Sequence, residues 1–553
     1  MATAPPPGFV RVASTSDLAD GEMKQVSADG TDVLLARAGG RFHACTAFCT
    51  HYGAPLADGL LCGTTVVCPW HHAMFDVATG TLEAPPALDR LRAFEVRVEG
   101  EDVFVRAPAD AGAHGEDVPY RVSDGAPAAS PPEGGREGAG SPDDRTFVLV
   151  GGGAAAQAAA EALREFGFRG RILMLSADAH PPYDRTKLSK GVLAGKAGPD
   201  ALPLRDAAFY RRLRIDVQTG AQVTALDPAA RLLTLAGGET VAYDACLVAP
   251  GGTPRRLPVP GADRDGVFLL RSREDAGRLV AEAEGARRVV VVGTGFIGME
   301  AASSLCDRGL DVTVIGQDAV PFARVLGEQV GRVFQEAAEG KGVRFCLGAT
   351  VEKIEPAEGD GLRVVLEGGD AAEGDLVLLG VGVRPATDFL EGQPFRRGDD
   401  GALEADAHLR LADGLYAAGD AVRYPEARLG APVRIEHWRL AQQHGRHAAR
   451  AMLGHAAPFE EVPFFWTGQF GLGLRYVGHA EDFDEVVVDG DLGARTFVAF
   501  YVRQGRAVAA AAVGRDRDAA AFHVLLMRDA VPAPDALRSG VDLQALAARR
   551  CGS

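Results

Sequence analysis

The chain has 553 residues, 47% hydrophobic and 24% charged, the composition of a globular protein whose length suggests about three or four domains. Its formal net charge of −17 argues against binding to nucleic acid or an anionic membrane. The longest apolar runs, such as Val289–Val292, fall far short of the ~18 residues that span a bilayer, and Met-Ala-Thr-Ala-Pro-Pro-Pro is not a secretory signal, so a cytoplasmic location is expected.

The first hundred or so residues read as short strands broken by Gly and Asp, among them Phe94–Val98 and Val103–Val105. Four of the 8 cysteines fall between Cys45 and Cys68. The other four, Cys246, Cys306, Cys346 and Cys551, read as small buried apolar residues, and no Cys-x-x-Cys offers a dithiol centre. Within the clustered group, Cys49-Thr50-His51 is followed after sixteen residues by Cys68-Pro69-Trp70-His71. Two loop tips that each present one sulfur and one nitrogen suit a Rieske-type [2Fe–2S] centre, with thiolates on one iron and imidazoles on the other. The expected ligands are therefore Cys49, His51, Cys68 and His71. A Cys2His2 zinc site is the alternative; its usual spacing pairs cysteine with cysteine and histidine with histidine, whereas each pair here is mixed. His72, beside His71, leaves open which imidazole ligates, although spacing favours His71. Cys45 and Cys62 read as core or supporting residues, with a bridge as the lesser alternative.

From Ala107 to Asp144 the chain is rich in Ala, Gly, Pro, Ser, Asp and Glu, the composition of a flexible linker. A strand, glycine turn, helix and strand then follow twice. Thr146–Val150 leads through Gly151-Gly152-Gly153 into an Ala-rich helix reaching Phe166 and a strand Arg171–Leu175. Arg287–Val292 leads through Gly293-Thr294-Gly295 into a helix Phe296–Arg308 and a strand Asp311–Ile315. Such βαβ units imply parallel sheets, and two of them imply two dinucleotide-binding domains. Past Phe459, β-rich runs at Thr496–Val502 and Ala507–Val513 precede a helical stretch, a small α+β closing domain.

In each fingerprint the first glycine permits a tight turn, the second lets a pyrophosphate approach the backbone, and the third position packs helix on strand. Gly151, Gly153 and Ala156 form a softened version, Gly293, Gly295 and Gly298 the intact one. The acidic residue that usually contacts ribose is missing from both: Ser176 follows Leu175, and Gly316-Gln317 follow Ile315. With Arg324 the nearest downstream base, NADH is weakly favoured over NADPH.

The cluster segments Cys49–Leu56 and Cys68–Asp76 resemble the Rieske family, and Ala54 and Trp70, standing where respiratory-complex members carry a disulfide-forming pair, resemble its ferredoxin type. Pro182–Lys190, Ala249–Pro254 and Tyr416–Ala421 resemble flavin-contact motifs of pyridine-nucleotide-dependent flavoprotein reductases, in particular the ferredoxin-reductase and apoptosis-inducing-factor branch. With Val381–Pro385, Glu436-His437-Trp438 and Phe465–Gln469, the likeness to apoptosis-inducing-factor-3-like proteins spans nearly the whole chain outside the linker. It implies a multidomain fold: an all-β Rieske domain at 8–106, a linker at 107–144, an α/β Rossmann-type FAD domain at 145–265 and 386–458, an NAD(P)H domain at 266–385, and a C-terminal α+β domain at 459–553 with a part in dimer contacts. It also implies that Asp420, Arg185, Ala249 and Gly251 contact flavin, that Lys190 lies beside the flavin ring paired with Glu300, and that Trp438 flanks the nicotinamide entrance. Thr467-Gly468-Gln469 departs from the commoner Ser-Asp-Gln.

The function so implied is a reductase that passes electrons from NAD(P)H through FAD to its own [2Fe–2S] cluster and on to an external acceptor, an oxygenase, cytochrome or ferredoxin. The alternative is a redox-responsive signalling or interaction protein of apoptosis-inducing-factor type whose turnover is incidental. A dithiol–disulfide reductase lacks its cysteine pair in the flavin domain, and a nitrite reductase lacks its cysteine-rich sirohaem region.

Overall fold

A computed structural model describes residues 6–107, 143–359, 361–455 and 457–551. Most of the expected linker at 107–144 lies outside the described residues. Contacts divide the chain into two compact units, the first comprising Met1–Val122, Glu461–Trp466 and Leu474–Ser553, the second Ser123–Glu460 and Thr467–Gly473. Among the described residues no helix is long and apolar enough to cross a membrane.

In the first unit the N-terminal part is all β. Six antiparallel strands run in the order Val10–Ser14, Asp102–Arg106, Ala93–Glu99, Arg41–Thr46, Thr31–Ala38, Met23–Ala28. A smaller four-stranded sheet, Leu60–Cys62, Thr65–Val67, Met74–Asp76 and Leu82–Ala84, carries the second cysteine–histidine loop between its second and third strands. The same unit contains the closing segment apart from Thr467–Gly473; in that segment Phe464–Gln469, Leu472–Gly478, Arg506–Val513, Thr496–Arg503 and Glu485–Asp491 form a five-stranded sheet in that order. Helices Asp516–Met527, Pro534–Arg538 and Leu543–Cys551 follow. A continuous apolar core joins both parts: Leu60, Val67 and Met74 of the small sheet pack with Phe464, Phe500, Phe522 and Leu525. The N-terminal and C-terminal parts of this unit thus bury each other's surface.

The second unit holds two parallel sheets. One runs Ile215–Gln218, Arg171–Leu175, Thr146–Val150, Ala245–Val248, Leu415–Ala417, Arg410–Ala412, with only the last strand antiparallel. The other runs Val267–Phe268, Leu376–Leu379, Arg288–Val292, Asp311–Gly316, Arg344–Leu347, all parallel. Phe147–Val150 and Val289–Val292 are unbroken apolar runs because both faces of a central parallel strand are covered. Helices Ala154–Glu165 and Phe296–Asp307 follow them, ending within a residue of the sequence expectation. Seven of the twelve residues of the first are alanine, the strongest helix former, and their small side chains let helix Trp438–Met452 cross closely. At the crossing a Cβ on Gly445 would stand 2.1 Å from the Ala155 carbonyl oxygen, so only glycine fits.

Candidate cluster and dinucleotide sites

The two cysteine–histidine loops are built alike. Cys49 N–H donates to the Ala54 carbonyl at 2.8 Å and Gly53 N–H to the Cys49 carbonyl at 2.9 Å; Cys68 N–H donates to Ala73 at 2.9 Å and His72 N–H to Cys68 at 3.2 Å. Gly53 and His72 occupy the same place in their loops, both left-handed, with φ 74° and 54°. That conformation strains a side chain that is not glycine. His72 is held there by stacking on Phe464, ring centroids 4.0 Å apart, and by Nδ1 lying 2.9 Å from Nδ1 of His523. Its ring is therefore committed away from the ligand group.

His51 and His71 instead turn their Nδ1 atoms toward each other at 3.0 Å. Cys49 and Cys68 are buried, and the Cys49 thiol is pushed well above its ordinary value, first by its hydrogen bond to Cys68 and then by burial. Sulfur meets sulfur and nitrogen meets nitrogen, and among the described residues no three His, Cys, Asp or Glu side chains converge on one point. A tetrahedral zinc needs four donors about 2.0–2.3 Å from one centre. A two-iron cluster needs two donors at each end, and the residues present fit it. Trp466 closes the imidazole side, its ring centroid 4.4 Å from His71 and 5.8 Å from His51. Cys45 is a core thiol, pushed up to about 12 by burial and then by Asp76. Cys62 and Cys551 depart from expectation: they form a disulfide across 489 residues of sequence. Cys551 is thus not a plain apolar residue, and Cys306 and Cys346 are only partly buried, whereas Cys246 is fully so.

In the second unit the first fingerprint has the shape of an anion cradle. A Cβ on Gly151 would strike the Ala249 carbonyl oxygen at 2.1 Å, so the turn packs tightly, while Gly153, the N-cap of helix Ala154–Glu165, has open space around it. Ala156 is fully buried. Gly419, with φ 75°, sets the turn before Asp420 beside this helix start and the first turn of Trp438–Met452: a Cβ there would lie 3.6 Å from Ala155 Cβ and from Ala441 Cβ. A glycine-lined helix start leaves backbone N–H groups that favour a pyrophosphate, and the residues fit FAD. Asp420 pairs with Arg271 at 2.8 Å, and Arg271 also lies under Gly251. Arg185 binds Asp178 at 2.9 Å and the Arg271 carbonyl at 2.9 Å. Ser176 lies directly beneath Gly152, its hydroxyl accepting from Asp178 N–H at 3.2 Å. Trp438 opens its helix and is partly exposed.

The second fingerprint repeats the pattern. Cβ atoms on Gly293 and Gly298 would meet the Gly380 and Gly293 carbonyl oxygens at 2.2 and 2.3 Å, whereas Gly295 at the helix start is open, as a second dinucleotide requires. Just past the next strand, Asp311–Gly316, Asp318 pairs with Arg324 at 3.2 Å.

Glu300, one turn inside this second helix and 3% exposed, is fully engaged. One oxygen takes Lys190 Nζ at 2.8 Å and the Ser189 hydroxyl at 2.5 Å; the other takes the Thr467 hydroxyl at 2.6 Å. The Ser304 hydroxyl anchors the Lys190 segment through the Ser189 carbonyl at 2.7 Å. Lys190 remains partly exposed. Ser189, Thr467, Arg271 and Trp466 were not singled out as site residues from sequence; for Thr467 the departure from Ser-Asp-Gln was the available signal.

Family models match the chain in three places: Rieske [2Fe–2S] domain at 8–95, pyridine nucleotide-disulphide oxidoreductase at 145–445, and reductase C-terminal at 464–547. Apoptosis-inducing factor 3 from Homo sapiens is 39% identical over 91% of this chain and 82% of the human protein. The 5,5'-dehydrodivanillate O-demethylase ferredoxin reductase subunit from Sphingobium is 36% identical over 67% of this chain and 90% of its own length. Among solved structures, the ferredoxin reductase for the CYP199A2 system from Rhodopseudomonas palustris superposes with a TM-score of 0.70 and 30% identity, covering 73% of this chain and all of the other.

Proposed function

Because the chain belongs to the pyridine nucleotide-disulphide oxidoreductase family and begins with a Rieske domain, we propose that it delivers electrons from NAD(P)H, by way of FAD and its own [2Fe–2S] cluster, to an external acceptor protein. It is an FAD-dependent NAD(P)H oxidoreductase with a Rieske centre. FAD accepts two electrons as a hydride and can release them singly, as an iron–sulfur cluster requires.

The protein's part is to hold and orient. Gly153 and Asp420 would hold FAD, the open helix start by its N–H groups and the carboxylate by hydrogen bonds, with Arg271 offsetting the acid's charge. Gly295 would take the second dinucleotide's pyrophosphate. Lys190, Glu300 and the two hydroxyls on Glu300 form a rigid group that keeps a buried carboxylate paired. Its task would be to fix the Lys190 ammonium for orienting the bound nicotinamide, since orientation governs hydride transfer. Cys49, Cys68, His51 and His71 would hold the cluster, with Trp466 shielding the imidazole edge. Asp318, just past the strand that follows the second fingerprint, would be the carboxylate to face the adenosine ribose, and its charge would disfavour a 2′-phosphate. NADH should therefore give the higher kcat/KM; equal or better use of NADPH contradicts that choice.

Relatives named as ferredoxin reductases of oxygenase systems support an oxygenase or electron-carrier acceptor. The observation that carries the reading is the pairing of sulfur with sulfur and imidazole with imidazole in a chain that also has two glycine-lined helix starts. Cys49→Ser tests it: the variant should lose the cluster signal and reduction of a protein acceptor such as cytochrome c, yet keep flavin reduction by NADH. Undiminished cytochrome c reduction would remove the cluster from the path.

A further inference from the structure

We propose that the Cys62–Cys551 disulfide is a thiol-sensitive latch that fastens the cluster-bearing sheet to the chain's own C-terminal helices. Cys62 ends strand Leu60–Cys62, edge of the small sheet that carries the second ligand loop. Cys551 ends the last helix, Leu543–Cys551. The bond therefore joins the two ends of a 489-residue separation through the same surface that the apolar core seals with Leu60, Val67, Phe464 and Leu525.

Two further contacts show what the latch holds in place. Trp466 stands over the imidazoles of His51 and His71, and His523 meets His72 beside them. Closed, the imidazole edge of the cluster site faces the chain's own tryptophan, and an external protein cannot lie against it there. Without the bond, the docked arrangement rests on the apolar packing and on the ring contacts of Trp466 and His72, and the sheet gains freedom to leave. Cys62 is only 8% exposed while Cys551 is partly exposed, so an incoming thiolate reaches Cys551 first.

The step balances with an external dithiol as reductant. Its thiolate attacks Cys551 Sγ, the Cys62–Cys551 bond breaks as the new one forms, and Cys62 leaves as a thiolate that takes a proton. The second sulfur of the dithiol then displaces Cys551. Two electrons and two protons pass from the dithiol to the protein, leaving two cysteine thiols and one oxidised dithiol.

The consequence for electron delivery rests on the function proposed above; the latch itself does not, and the experiment separates them. In the full-length holoprotein purified without thiols, a non-reducing digest should yield a Cys62–Cys551 linked peptide that dithiothreitol releases. Hydrogen exchange over 60–84 and 516–551 should be several-fold faster in Cys551→Ser than in the parent, and Cys62→Ser should reproduce it. Absence of the linked peptide, or exchange equal to the parent's in both variants, overturns the latch. With NADH and cytochrome c as probe acceptor, Cys551→Ser should transfer electrons at least threefold faster while flavin reduction stays unchanged. Faster exchange with an unchanged cytochrome c rate would keep the latch and count against the cluster as the point of exit.

Discussion

Glu300 is the residue around which the second unit's chemistry turns. A carboxylate this buried needs partners, and Lys190, Ser189 and Thr467 supply them. Glu300→Gln keeps the shape but removes the charge that fixes Lys190. The expected result is a tenfold or greater fall in the rate of flavin reduction by NADH in stopped flow, equivalent to ~1.4 kcal/mol, with FAD still bound. An unchanged rate would make the pair structural. The glycines and ligand motifs could be read from sequence because their spacing is local. The partners of Glu300 lie 111 and 167 residues away, and no local spacing reveals them. His72 shows the same limit: its identity was visible, but its left-handed backbone and its partner His523, 451 residues on, belong to the folded chain.

Helix Trp438–Met452 is the element on which the flavin unit's acid stability should depend. His444 accepts the Gly419 N–H at Nδ1, 3.2 Å away, and burial pushes its pKa down to about 3; burial, then Arg450, pushes His447 down to about 4. Both stay neutral in the folded protein at pH values where the unfolded chain, near 6.5, takes up protons. Their contribution to stability is thus complete above about pH 6.5 and is lost as pH falls toward 4, at about 1.4 kcal/mol per pH unit for each histidine. Thermal melts followed by flavin fluorescence from pH 7 to 5 should show this, and the double variant His444→Gln/His447→Gln should flatten the slope. A variant slope equal to the parent's would place the acid sensitivity elsewhere. Elements were well marked in the sequence where apolar strand, glycine turn and alanine-rich helix follow in order, as at 146–165 and 288–307. The crossing at Gly445 was not, since a glycine inside a helical pattern does not say which backbone it lets approach.

At the scale of the whole molecule, the fold class read from the sequence holds: an all-β Rieske part, two parallel α/β sheets and a closing α+β segment. The association of the first and last of these in one unit was not legible, because it is made by apolar faces and a cysteine pair almost a full chain apart. Composition could mark Cys62 and Cys551 but not join them. What gives the molecule its proposed purpose is that a hydride-accepting flavin and a single-electron cluster are carried by one polypeptide. The most direct measurement is an anaerobic NADH titration of the purified protein followed by absorbance and low-temperature EPR, with iron and acid-labile sulfide assayed on the same sample. The account predicts two irons and two sulfides per chain, bleaching of the flavin, and growth of a reduced [2Fe–2S] signal with nitrogen coupling from two histidines. Protein that carries flavin but neither iron nor sulfide, or a cluster that stays oxidised while the flavin is fully reduced, would contradict it.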